Sequence, residues 1–487
     1  MPEKITVAGV SVDTRHWIGG RRVASDGTFA DYSPIDGSVL GEIARGGSAE
    51  AEAAVAAARD AFPGWAATSR GERARVLHAI ADGVEKRLEE LAIVETTDNG
   101  ALLRSHRRGV MPRVAHNFRF FADWLLTLDH EDFDTRGHTN HVSWDPAGPC
   151  VLITPWNAPL MLATWKVAPA LAAGDTVVLK PAEWSPLTAS LLADIAAEAG
   201  LPAGVLNVVQ GYGSEIGDAL TSHPDVRRIS FTGSVPTARR IAASAAANLT
   251  PLSLELGGKS PLLVFADADL DLAVDLAVEQ YDNAGQVCLA GTRLLVEEQV
   301  AEEFTRRFVK KATALRQGDP RDESTDVGPT IHPRQLEKID GFVQRAVAAG
   351  ARAVIGGHRE GDGQYYAPTL LTDVAQDSEI VQEEVFGPVL TLQTFTGEDE
   401  AVRLANDTRF GLAATVATGD RERAERVSAR LVAGTVWINC FFVRDLRAPF
   451  GGSRQSGVGR EGGTWSFDFY CDLKNTVTAP KGWNDHG

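Results

Sequence analysis

Two stretches of the chain alternate short, continuous apolar runs with segments of helical period. From Cys150, the runs CVLITPW, LAAGDTVVLKP, GVLNVVQG and RRISFTGS read as buried strands. Helical segments lie between them, such as 186-PLTASLLADIAAEAG-200, which closes on a terminal glycine. A second series starts near Pro261 with SPLLVF, a helix over 270–281, TRLLV and a helix over 300–316; ARAVIGG, PVLTLQTF and AGTVWIN follow later. Strands that are apolar throughout, rather than alternating, predict parallel sheets covered on both faces. The acidic spacer ADADLD at 266–271 supplies side chains that cap the following helix and suit its dipole.

The flanks read differently. Residues 48–94 are Ala-rich and helical, with Gly71 and Gly83 as weak interruptions. Residues 127–145, TLDHEDFDTRGHTNHVSWD, are polar and predict a protruding hairpin, and the tail returns to a strand-like KNTVTAP. No repeat of solenoid length and no low-complexity tract occurs.

At 487 residues the chain predicts two or three domains. A net charge of −17 argues against a nucleic-acid partner, which needs a basic face. Cys150, Cys288, Cys440 and Cys471 form no Cys-x-x-Cys pair and no metal spacing, so they read as reduced thiols of a cytoplasmic protein. The N-terminus carries acidic and polar residues where a signal peptide needs an apolar block, and no run of 18 apolar residues is present to span a membrane.

Candidate chemistry emerges from polar residues in unexpected places. In 281-YDNAGQVCLAGTR-293, Cys288 follows Asn283, Gly285 and Gln286, which make poor core but a good backbone bend, and this suits a nucleophile. Glu255 interrupts the apolar strand of 251-PLSLELGGKSPLLVF-265, where a desolvated carboxylate has a raised pKa and suits general-base work. The GGKS there is no phosphate loop, because Ser253 stands where the motif needs glycine and Pro261 where it needs a helix. Asn157 ends a strand between Pro155 and Pro159 and offers a neutral donor to an oxyanion; the alternative is a local turn. Gly211, Gly213 and Gly217 miss the dinucleotide spacing by one residue, whereas 229-ISFTGSVPTARR-240 predicts a strand, a tight turn and a helix whose first amides, with Ser234, meet a pyrophosphate. No Gly-x-Ser-x-Gly elbow and no convincing metal cluster occurs, and His138 and His141 fall in the polar hairpin.

Seven collinear blocks, TPWNAPL, KPAEWSP, FTGSV, LELGGKSP, GQVCLAGTR, EEVFGPV and PFGGSRQSGVGRE, together resemble the NAD(P)-dependent aldehyde dehydrogenase family over nearly the whole chain. The resemblance implies an α/β fold with two Rossmann-type parallel-sheet domains and a small β oligomerisation element. It implies an NAD-binding domain over 1–125 and 146–257, a catalytic domain over 258–455, and oligomerisation segments at 126–145 and 470–487. It makes Cys288 the nucleophile, Glu255 the general base and Asn157 the oxyanion donor. Lys180 and Glu183 would hold the adenosine ribose, Gly233 and Ser234 the pyrophosphate, and Glu384 and Phe386 the nicotinamide ribose and ring. Trp156 would lie beside the cofactor and Gly213 near the adenine. A carboxylate at Glu183 repels a 2′-phosphate, so NAD is expected over NADP. No metal is needed.

The block from Trp437 to Val477 resembles the branch that oxidises 2-hydroxymuconate and 2-aminomuconate semialdehydes, through Arg-Asp-Leu-Arg before PFGG and Glu-Gly-Gly after Arg460. Arg444 and Arg113 are then expected to line the aldehyde tunnel and grip a carboxylate, with Arg447 beside them and Leu160 leaving room for a rigid substrate. The alternatives are pairing of these arginines with Asp445 or neighbouring acids, and a neutral aromatic, aliphatic or betaine-type aldehyde as substrate. The family forms homodimers or homotetramers by adding strands from the hairpin and tail to a neighbour.

Overall fold

The apolar runs after Cys150 become strands Pro149–Ile153, Thr176–Lys180, Leu206–Val208, Arg228–Gly233 and Leu252–Leu256. The computed structural model describes residues 4–483; residues 1–3 and 484–487, the outer ends of the first and last predicted segments, lie outside the described residues. The five strands pair in parallel, in the order Leu252–Leu256, Arg228–Gly233, Pro149–Ile153, Thr176–Lys180, Leu206–Val208. Antiparallel edges complete an eight-stranded sheet: Gly457–Val458 on one side, His16–Ile18 and Arg21–Val23 on the other. The two edge strands before residue 24 have no counterpart in the sequence reading, because three residues are too few to show a period.

The second series forms a seven-stranded sheet. Its order is Arg352–Ile355, Thr369–Thr372, Val389–Phe395, Arg293–Glu297, Pro261–Val264, Ala413–Ala417, Thr435–Ile438, and all but the first run parallel. The helix after ADADLD spans Leu270–Val278, and the Asp269 carboxylate accepts the N–H groups of Asp271 and Leu272. In the Ala-rich segment the breaks fall at Ser69 and Arg87, between helices Ser48–Ala66, Arg70–Lys86 and Leu88–Asn99. Gly71 and Gly83 are tolerated inside a helix because Ser69 caps its start through Glu72 N–H and glycine costs only about 1 kcal/mol there.

The polar hairpin forms strands Glu131–Thr135 and His138–Pro146, and Cys471–Thr478 adds to the second in antiparallel register. This three-stranded sheet stands apart from both larger ones and exposes Phe133, Leu473 and Val477. Among the described residues, no helix is long and apolar enough to cross a membrane.

In the first sheet the chemistry-bearing residues collect at the C-terminal ends of parallel strands. Lys180 ends its strand, Ser234 follows Gly233 into helix Val235–Ala245, Glu255 is next to last in its strand, and Asn157 lies just beyond Ile153. Open α/β sheets place ligands in that crevice.

Candidate active site

A cavity of about 620 Å³ is lined by Cys288, Glu255, Asn157, Arg113, Arg444 and Trp165, among others. The bend before Cys288 is built by three successive residues of positive φ: Asn283 at 48°, Ala284 at 53° and Gly285 at 69°. A Cβ on Gly285 would lie 2.1 Å from the Gly387 carbonyl oxygen, so only glycine lets the bend close against that segment. Hydrogen bonds lock it to Asn157 of the eight-stranded half and to Ile331 of its own half. Asn157 Nδ2 donates to Gln286 O at 2.9 Å, Asn283 Nδ2 donates to Asn157 O at 3.0 Å, and Ile331 N–H donates to Gln286 Oε1 at 3.0 Å. One proton of the Asn157 amide is thereby committed, which orients the other.

The Cys288 thiol is not held ready as a thiolate. Burial raises its pKa to about 12, helped by the negative charges of Glu384 and Glu255 and opposed by Arg444. Attack therefore requires a proton acceptor in the pocket. Glu255 fits that need: it is buried in strand Leu252–Leu256 and neither carboxylate oxygen has a hydrogen-bond partner among the described residues. Burial raises its pKa well above the ordinary carboxylate value; Glu461 adds to the rise, while Lys166, Arg444 and Arg460 oppose it. Lys166 and Glu461 form a buried ion pair of 2.7 Å, and the Ser230 and Ser253 hydroxyls donate to the same carboxylate oxygen of Glu461.

A second group of residues lies along the crevice at the strand ends. Lys180 Nζ donates to Pro181 O at 2.9 Å and pairs with Glu183 at 3.3 Å, and a Cβ on Gly213 would lie 4.0 Å from that ammonium. Ser234 occupies the N-cap of helix Val235–Ala245 without capping it through its side chain, so the first amides remain available to an anion. Gly233 is needed there because the Phe231 ring would lie 2.4 Å from a Cβ. Across the cleft, Glu384 accepts Gly258 N–H at 3.1 Å, and a Cβ on Gly257 would fall 2.0 Å from its carboxylate. Phe386, at φ 59°, is held by Gln335 Nε2 donating to its carbonyl at 2.8 Å and meets Trp156 edge-on at 5.2 Å. A half-buried carboxylate beside a lysine, an open helix N-terminus and an aromatic floor suit a dinucleotide.

The arginines divide. Arg113 and Arg444 both lie over the Trp165 ring, at 5.6 and 4.8 Å, and Arg444 is also 3.8 Å from the Phe450 centroid. Arg113 donates to Asn117 Oδ1, and the Arg444 Nη2 atom is buried with no partner. Among the described residues neither forms a salt bridge, and burial lowers both pKa values, that of Arg113 to about 10. Arg447, expected in the tunnel, instead lies on the surface in a bidentate pair with Asp445. Leu160 is also corrected. It is fully buried in the core of the first half, and Met161 and Leu162 line the cavity in its place. Trp165 and Lys166 escaped the sequence reading, and Glu461 entered it only within the Glu-Gly-Gly after Arg460; the one available signal for the pair was a lysine inside the apolar helix Pro159–Ala173, which demands a buried partner.

The aldehyde dehydrogenase family model matches residues 22–476. The chain is 44% identical to a 2-hydroxymuconic semialdehyde dehydrogenase of Pseudomonas sp. (strain CF600), covering 95% of this chain and 99% of that protein. It is 42% identical to a 2-aminomuconic semialdehyde dehydrogenase of Danio rerio, covering 95% and 97%. A solved structure of betaine aldehyde dehydrogenase from Staphylococcus aureus in complex with NAD+ superposes with a TM-score of 0.95 at 37% identity, over 98% of this chain and 97% of that one. The chain belongs to the aldehyde dehydrogenase family.

Proposed function

We propose that the protein oxidises a carboxylate-bearing semialdehyde of the muconate type to the corresponding diacid, with NAD+ as the oxidant. The single observation that carries the substrate class is the pair Arg113 and Arg444, stacked on Trp165 in the same cavity as Cys288 and free of any carboxylate partner among the described residues. Two largely desolvated guanidiniums without a salt-bridge partner are costly, and a substrate carboxylate supplies what is missing.

The carboxylate docks on the arginines and presents the aldehyde to Cys288. Sulfur bonds to the carbonyl carbon while the thiol proton passes to Glu255, and the oxyanion accepts a hydrogen bond from the second N–H of the Asn157 amide. A bound NAD+ would supply the acceptor for the hydride that leaves the substrate carbon, so that the thiohemiacetal is oxidised to a thioester on Cys288. Glu255 passes the thiol proton on to solvent and, again ionised, deprotonates a water that hydrolyses the thioester; the acid leaves and the proton returns to the Cys288 sulfur. Lys180 and Glu183 hold the adenosine ribose, Gly233 and Ser234 the pyrophosphate, Glu384 and Phe386 the nicotinamide end, with Trp156 beside them and Gly213 near the adenine. The Glu183 carboxylate accepts ribose hydroxyls and repels a 2′-phosphate, which favours NAD over NADP.

The eight-stranded half serves as the dinucleotide-binding domain and the seven-stranded half as the catalytic one. The exposed apolar side chains of the three-stranded sheet suit a homo-oligomeric interface, and the free thiols suit the cytoplasm. The test is a kcat/KM profile with NAD+ over 2-hydroxymuconate semialdehyde and uncharged aldehydes of similar length. A preference for the acid by tenfold or more is expected; equal or better turnover of the uncharged series would remove the substrate assignment.

A further inference from the structure

Outside the reacting centre, aromatic side chains bridge the two walls of the dinucleotide cleft. Trp184 lies on the loop after Thr176–Lys180, one residue beyond Glu183, and belongs to the eight-stranded half. His332 sits at the N-cap of helix Pro333–Ala348 in the other half. Their rings stack with centroids 4.4 Å apart and planes only 8° from parallel. Trp184 is also 5.9 Å from Trp156, which meets Phe386, so two tryptophans of one half contact His332 and Phe386 of the other.

Both ends of the stack are anchored. His332 Nδ1 accepts Arg334 N–H at 3.1 Å, which fixes the imidazole plane. The preceding residue, Ile331, donates to Gln286, whose carbonyl holds the Asn157 amide. Ser185, next to Trp184, donates from its hydroxyl to Trp156 O at 3.4 Å. An imidazole is not needed to cap a helix, since Ser, Asp or Asn does so with a smaller side chain. The ring therefore serves the stack.

We propose that Trp184 and His332 form a clasp that joins the cleft walls beside Glu183 and retards release of the reduced cofactor. They act as positioning residues. The proposal rests on the reading that this cleft holds NAD. Separating the walls must part the rings, and an aromatic pair of this geometry slows that opening by about two- to tenfold.

The test is stopped-flow release of NADH, followed by its own fluorescence, in wild type, His332→Asn, His332→Phe and Trp184→Leu. Asparagine keeps the cap and loses the ring; phenylalanine keeps the ring and loses the cap. Release is expected to quicken about two- to tenfold in His332→Asn and in Trp184→Leu. His332→Phe should restore slow release, and the His332→Asn/Trp184→Leu double variant should be no faster than either single one. If one ring-deleting variant does not fold, the other decides the matter. Unchanged release in the folded variants, or equal acceleration in His332→Phe and His332→Asn, would overturn the clasp. A wild-type enzyme that binds no NADH would instead overturn the cofactor assignment on which it rests.

Discussion

Two cationic assemblies flank the same cavity, one fully buried and one half-buried, and they are built on opposite principles. On one side Lys166 and Glu461 neutralise each other at 2.7 Å, and two serine hydroxyls satisfy the same carboxylate oxygen. On the other, Arg113 and Arg444 share a tryptophan face with no carboxylate in salt-bridge range among the described residues. The first assembly is complete within the fold and sets the field around Glu255. The second lacks only an anion. A buried charge that the protein has paired serves the fold, whereas one left unpaired in a cavity awaits a ligand.

The comparison breaks most visibly at Lys166. Lys166→Met should cost about 3–5 kcal/mol of stability, because Glu461 is then left buried with hydroxyl partners only. Urea unfolding followed by far-UV circular dichroism measures the loss. A variant as stable as wild type would mean that Glu461 is not held as an ion. Arg444→Met should behave in the opposite way, with stability kept or raised. Its kcat/KM should fall about 10- to 150-fold for the semialdehyde acid, the equivalent of one lost hydrogen bond to a charged group, and stay within about threefold for a neutral aldehyde. Parallel losses on both substrates would make Arg444 a structural residue.

Glu461→Gln sharpens the contrast by pH. Burial is the larger cause of the raised Glu255 pKa and the Glu461 charge the next, so removing that charge lets Glu255 ionise at lower pH. Loss of the Glu461 counter-charge to Lys166 acts with the same sign, since Lys166 favours the Glu255 anion. The rising limb of the pH–kcat profile for thioester hydrolysis should therefore move to lower pH. For stability, a carboxyl raised in the folded state contributes fully below its unfolded pKa, and that contribution is lost as pH rises through the folded value. Glu255→Gln should accordingly gain melting temperature relative to wild type at alkaline pH and not at acid pH.

The same distinction explains which features were readable from the chain. The central strands of both sheets were legible because buried parallel strands are continuous apolar runs, as in Thr176–Lys180 and Arg293–Glu297. Glu255 stood out as a polar residue in an apolar strand, Cys288 by the polar, Gly-flanked bend around it, and Asn157 by its place at a strand end between two prolines. Lys166 and Glu461 meet across 295 positions of sequence, a pairing that no local pattern reveals. Leu160 was misplaced by a helical rotation. The helix begins at Pro159, so a step of one residue turns the side chain by about 100° and exchanges core for cavity. Trp184 and His332 likewise meet only through the fold.

Arg447 provides the smallest and most specific check. It lies three residues from Arg444 and carries the same charge, yet Asp445 captures it bidentately at the surface, with distances of 2.5 to 3.1 Å. Its guanidinium is already satisfied and solvated, so it has little to offer a substrate inside the cavity. Arg447→Ala should leave kcat/KM within about twofold for acidic and neutral aldehydes alike, as expected for a screened surface pair. The informative outcome is a selective loss on the acid. It would mean that the substrate carboxylate competes with Asp445 for this arginine, and that the anion-binding wall reaches the surface instead of ending at Arg444.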